Sequence, residues 1–272
     1  MLGKIIKHEF RATWKKICGM YAIMIASLII GIISYNAKDA DLGDFTSDIA
    51  SIVSVISMTV LIMSMTAASV IIFVILCQRF YQSIYSNQGY LTMTLPVSKI
   101  NILNGKLITY LIWAIATILV IVPCAWSYIC FIDGRNEFWD IFEFIGDYID
   151  NCDDILYEFI LPIINMFLMI IRVFLYIFAC LSLGQLSNNH KIGMAVVWSF
   201  LLRIAESFVS AFISYFFTQS NGPYSLMLFM FKSTFANTMR TISIFSLVIS
   251  LIIGGIYYVI TLLIMSKKVN LQ

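Results

Sequence analysis

Charge is scarce in this chain. Only 12% of its 272 residues are Asp, Glu, Lys or Arg, and 61% are apolar. A soluble domain carries about a quarter charged residues and is about half apolar. Some apolar runs exceed the ~20 residues that a helix needs to cross a bilayer. The runs lack sustained alternation of apolar and polar residues, which argues against a transmembrane barrel. The fold class expected is therefore all-α, a polytopic membrane protein.

Histidine is scarcer still, with two in the chain, His8 and His190. No H-E-x-x-H, G-x-S-x-G or paired intramembrane aspartates occur, so catalysis by this chain is not expected. The six cysteines (18, 77, 124, 130, 152 and 180) include no C-x-x-C and lie mostly in or beside apolar runs. Buried small thiols fit that placement better than metal ligands or disulfides. The first sixteen residues are too charged and too long for a signal-peptide n-region. An uncleaved first span is expected.

Six apolar segments stand out, roughly at 17–35, 49–76, 107–132, 159–184, 192–217 and 241–265. An even number of spans puts both termini on one side. Lys and Arg gather in cytoplasmic loops. Eleven lie on the side of the termini (Lys4, Lys7, Arg11, Lys15, Lys16, Arg79, Lys99, Lys106, Lys191, Lys267 and Lys268) and four on the other. Both termini are expected to be cytoplasmic, with a tail at 266–272. The acids go the other way, thirteen of fifteen falling in the first two outer loops.

Three features punctuate this layout. Residues 1–16 form a basic amphipathic helix, with Lys4, Lys7, Arg11 and Lys15 on one face and Leu2, Ile6, Phe10, Trp14 and Ile17 largely on another. Such a helix suits the inner headgroup region. The outer loop 133–158 carries Glu137, Asp140, Glu143, Asp147, Asp150, Asp154 and Glu158 at steps of three and four. That is one helical face, and it reads either as a solvated surface or as a negative field that gathers cations. The third feature is the cytoplasmic loop 77–106, whose "QRFYQSIYS" continues the second span, with Phe80, Tyr81, Ile84 and Tyr85 at helical spacing. Gly89 marks a turn, Pro96 disfavours helix at Leu95, and Ser98 is placed to cap a helix beginning "KINILNGK". Aromatics with few charges suit docking to a protein.

Charges also occur inside spans. Arg172 lies 16 residues before Asn188 and Arg203 lies 15 after it. In an antiparallel hairpin the two arginines stand at nearly equal depth. Glu206 follows Arg203 at i+3, on the same face. A cluster of Arg172, Arg203 and Glu206 is expected, because a lone charge at the bilayer centre costs about 3 kcal/mol or more. It reads as a helix-locking network or as the lining of a path.

The run "GYLTMTLPVSK", followed by an apolar stretch and "GK", resembles the loop between the second and third helices of ABC-2-type transporter permeases of Gram-positive bacteria. The likeness is most specific over Tyr90–Ser98. It implies a bacterial plasma-membrane permease paired with a second copy or a related permease and with separate ATPase subunits. ATP and Mg would be held by the ATPase, with no cofactor in this chain. Gln78–Asn87 would be the coupling helix and 89–98 its return, so Phe80, Tyr81, Tyr85, Gly89, Tyr90, Pro96 and Ser98 would contact the ATPase. No G-x-x-x-x-G-K-[ST] occurs in the chain itself. The expected cargo is amphipathic, either a cationic antimicrobial peptide or a lipid- or polysaccharide-linked molecule. A channel or scaffold that needs no ATPase is the other class of function open at this point. A nucleic-acid partner is not expected.

The orientation is testable in a cysteine-free background. Single cysteines placed at 90 and 190 should resist an impermeant maleimide added to intact cells and react once the cells are opened. Labelling from outside would invert the topology.

Overall fold

A computed structural model describes residues 2–39, 44–86, 89, 97–133, 143, 146–147, 160–187, 190–219 and 235–267. Six long helices make up the described chain. They are α1 (Leu2–Asp39), α2 (Asp44–Tyr85), α3 (Lys99–Asp133), α4 (Leu161–Gly184), α5 (Lys191–Gln219) and α6 (Phe235–Lys267). No strand occurs among the described residues. Each helix contains a segment long and apolar enough to cross a membrane. With no water in the hydrocarbon layer to satisfy free N–H and C=O groups, helices are how such apolar runs can cross it. The protein is an all-helical, multi-pass membrane protein.

The helix ends follow local chemistry. Ser98 stands before Lys99, and the Asn101 amide donates to its hydroxyl at 3.4 Å and to its carbonyl at 2.9 Å. Gly89 has its amide bonded to the Ser86 carbonyl at 2.6 Å, and a Cβ there would run into the Ile84 carbonyl. The turn after α2 thus requires glycine at 89. Tyr90 and Pro96 lie outside the described residues, as do Glu137, Asp140, Asp150, Asp154 and Glu158. Glu143 and Asp147 are described and exposed.

One expectation changes. The amphipathic stretch 1–16 and the first span are a single helix, α1, with no boundary at residue 16. Nothing between Trp14 and Met20 stops a helix except Gly19, which has no side chain to clash. The buried stripe of α1 runs Glu9, Thr13, Ile17 and Met24, while Phe10 and Trp14 are exposed.

The chain divides into two compact units. The first comprises residues 1–79 and 108–151. Here Met24, Ala68 and Cys124 form a small core, with Met20, Leu28, Met65, Val120 and Ile121 against it. Small side chains let membrane helices approach closely, and interhelical hydrogen bonds of about 0.6–2 kcal/mol fix their register. The Tyr21 and Thr117 hydroxyls meet at 2.7 Å, and those of Ser27 and Ser64 at 3.2 Å. Trp113 Nε1 donates to Thr13 Oγ1 at 2.9 Å, and its ring stacks on Phe10 with centroids 4.5 Å apart. Arg79 Nε donates to Glu9 Oε2 at 2.9 Å, tying the end of this part of α2 to α1.

The second unit comprises residues 80–107 and 152–272. α4 is its centre and packs against both α5 and α6. At Gly184 a Cβ would come within 2.7 Å of the Ala195 Cβ and of the Lys191 carbonyl. Only glycine lets α4 and α5 meet that closely where the hairpin begins. His190 takes a left-handed backbone (φ 57°) and its carbonyl accepts from the Met194 amide at 3.0 Å, opening α5. At the far end of α4, Asn165 Nδ2 donates to the Ser243 carbonyl of α6 at 2.7 Å.

Candidate functional site

The hairpin of α4 and α5 sets the depth of the charged residues. Arg172 is 12 residues before Gly184, and Arg203 is 12 after Lys191. At 1.5 Å per residue each stands about 18 Å along its helix, near the middle of a hydrocarbon core ~30 Å thick. Their side chains converge on one carboxylate. Arg172 Nη1 lies 3.5 Å from Glu206 Oε1, and Arg203 Nη1 lies 3.2 Å from Glu206 Oε2. The structure brings together all three residues that the sequence pairs.

Two tyrosines complete the cluster. The Tyr257 hydroxyl of α6 donates to Glu206 Oε2 at 3.4 Å. Tyr176, one turn after Arg172 on α4, donates its hydroxyl to the Ser199 carbonyl at 2.6 Å. The Arg203 guanidinium stands over the Tyr176 ring, 5.2 Å from its centroid, and that ring meets Tyr257 edge-on at 5.6 Å. Glu206 is therefore a three-helix node that receives charge from α4, charge from its own helix and a hydroxyl from α6. Its carboxylate and that of Glu9 are the two carboxylates within the six span segments. The exposures differ sharply. The Glu206 side chain is 9% exposed and that of Arg203 is 65% exposed.

The loop-proximal end of this unit is held by aromatic and hydroxyl contacts. Phe80 stacks on Phe178 with centroids 3.9 Å apart, and Tyr85 donates to Ser182 Oγ at 2.6 Å. The Lys106 ammonium, fully enclosed, donates to Ser83 Oγ at 2.5 Å, and Tyr258 donates to Asn104 Oδ1 at 2.9 Å. These contacts correct the expectation that Phe80 and Tyr85 face a partner. Both are buried, because their rings fill the junction of α2 with α4. Tyr81 is half-buried and Gln82 is exposed, and these remain on the surface of the same helix.

Sequence reasoning missed Glu9, Arg79, Lys106, Tyr176 and Tyr257. Glu9 carried a signal, as the one acid in a basic segment, and Tyr176 carried another, four residues from Arg172. Tyr257 carries none locally, because its role depends on how α6 docks. No group of three or more metal-ligating side chains is present among the described residues. No family model matches the chain, and neither a curated protein nor a solved structure is detectably similar to it.

Breaking the node should be costly. Removing one partner of a buried ion pair typically destabilises by about 3–5 kcal/mol. Glu206→Gln should lower the unfolding temperature of the purified protein, and Arg172→Gln added to it should recover part of the loss. Unchanged unfolding in the single variant would show that the cluster does not hold the helices.

Proposed function

We propose that this chain is the membrane-spanning permease subunit of an ATP-driven transporter that moves an amphipathic substrate, with ATP hydrolysed by a separate subunit. The observation that carries the reading is the charge cluster at mid-span. Ionisable side chains at that depth are expensive, and they characteristically mark paths for polar groups. A protein that needed only to be embedded would be served as well by an apolar core.

The coupling to an ATPase rests on the resemblance of Tyr90–Ser98 to the cytoplasmic loop of ABC-2-type permeases. In this reading the termini and the 86–98 segment face the cytoplasm, in keeping with the excess of Lys and Arg on that side. Tyr81 and Gln82 offer the surface next to that segment. Phe80 and Tyr85 act behind that surface, as the rigid contact that would pass a push on α2 to α4. A cationic peptide as cargo rests on the acidic stretch 137–158. Those acids would gather such a peptide at the outer surface but would not hold it within the spans, where two arginines share one acid.

The test is purification of the chain from its native membrane under mild detergent, with identification of what comes with it. A nucleotide-binding ATPase should copurify. Tyr81→Asp together with Tyr90→Asp should leave the chain inserted and abolish substrate-stimulated ATP hydrolysis. Full coupling in that double variant would remove the 81–98 segment from the contact, and flux without any ATPase would favour a channel.

A further inference from the structure

The mid-span cluster has an unbalanced charge. Arg172 and Arg203 contribute two positive charges and Glu206 one negative charge, leaving +1. The other carboxylate within the span segments, Glu9, is bonded to Arg79. The excess has a definite location. The Glu206 side chain is nearly enclosed, and Arg172 is 20% exposed, so both are committed to the node. Arg203 is held from two sides, by Glu206 and by the Tyr176 ring, and still leaves 65% of its side chain uncovered. Around it on α5 the exposed large side chains are Phe200, Leu201, Ile204 and Phe208, all apolar, and the exposed Ser207 one turn on turns its hydroxyl back to the Ile204 carbonyl.

We propose that Arg203 is a binding point for the anionic group of an amphipathic molecule, a phosphate or a carboxylate attached to an apolar chain. A guanidinium presents five N–H donors in a planar fork that matches a phosphate or carboxylate edge. One N–H goes to Glu206, and the guanidinium carbon lies 5.2 Å from the Tyr176 ring centroid. The apolar residues on either side suit the ligand's chain. A small inorganic anion would have no reason to leave water for this depth, since moving an ion into a low-dielectric layer is strongly unfavourable.

The depth also indicates the source of the ligand. Resident lipids keep their headgroups at the edges of the hydrocarbon core, whereas Arg203 stands about 18 Å in from Lys191. A phosphate reaches it there when an amphipath is drawn into the spans, which makes the ligand a cargo in transit. This assignment of cargo chemistry rests on the transport reading above; the binding site itself does not.

The experiment uses the full-length chain in nanodiscs of neutral phosphatidylcholine, titrated with radiolabelled dodecyl phosphate. Saturable binding is expected that neither inorganic phosphate nor dodecyltrimethylammonium displaces. Arg203→Gln should weaken it by about tenfold or more, the loss expected for a charge-assisted contact. Arg203→Lys should retain part of the affinity, since it keeps the charge and loses the fork. Arg203 is largely exposed, and unchanged elution and unfolding temperature would show that the variants are folded. Equal binding by wild type and Arg203→Gln, or no saturable binding by wild type, overturns the site. If discs containing phosphatidylglycerol abolish the dodecyl phosphate signal, a resident lipid holds the site and the cargo source is wrong. If Arg203→Gln instead dissociates a wild-type dimer while binding is unchanged, the exposed guanidinium serves a second copy and the proposal fails. Binding by a chain that drives no flux with its ATPase would sink the transport reading and leave the anion site standing. Flux without such binding would do the reverse.

Discussion

An ion taken from water into hydrocarbon loses several kcal/mol of solvation even after the surroundings relax, and it can recover this only from a partner held at the right distance. That requirement governs the second unit of this protein. Glu206 cannot sit at mid-span without Arg172, which fixes α5 against α4. It also takes a hydroxyl from Tyr257, which adds α6. The node demands that α4 and α5 reach equal depth, and the tight approach at Gly184 allows it, since a larger residue there would part the hairpin where it begins.

The same logic extends toward the loop end, with polar groups of lower cost. Lys106 is enclosed and meets the Ser83 hydroxyl, Tyr85 meets Ser182, and Asn104 meets Tyr258. None of these is an ion pair at mid-depth. They lie where α2 ends and α3 begins, so each ties a short loop-proximal stretch of one helix to α4 or α6, or α2 to α3. The stacked rings of Phe80 and Phe178 give this junction a stiff apolar centre. These contacts join the loop end of the second unit stiffly to its spans.

Much of this is legible in the sequence. Six spans followed from run length and scarcity of charge, because a bilayer tolerates little else. The charge cluster followed from counting residues on either side of Asn188, since a short hairpin turns equal separations into equal depth. The Ser98 cap followed from a proline and a hydroxyl in sequence. What escaped was whatever depended on how helices face each other. Phe80 and Tyr85 are aromatic and near a loop, a pattern equally consistent with docking and with packing, and only the position of α4 decides for packing. Tyr257 joins Glu206 from 51 residues away. The amphipathic and apolar stretches of α1 differ in pattern, yet they form one helix because nothing between them breaks it.

The central claim is that the Glu206 node lies in the middle of the bilayer. Spin labels placed singly on exposed positions of α5, at Ile192 near its start and at Ile204 beside Arg203, measure this in reconstituted membranes through collision with oxygen and with a water-soluble nickel complex. At Ile204 oxygen access should be at its highest relative to nickel, and at Ile192 the ratio should fall to that of the interface. Equal ratios at the two positions, or nickel access at Ile204 matching that of an aqueous site, would contradict a mid-bilayer cluster and the account built on it.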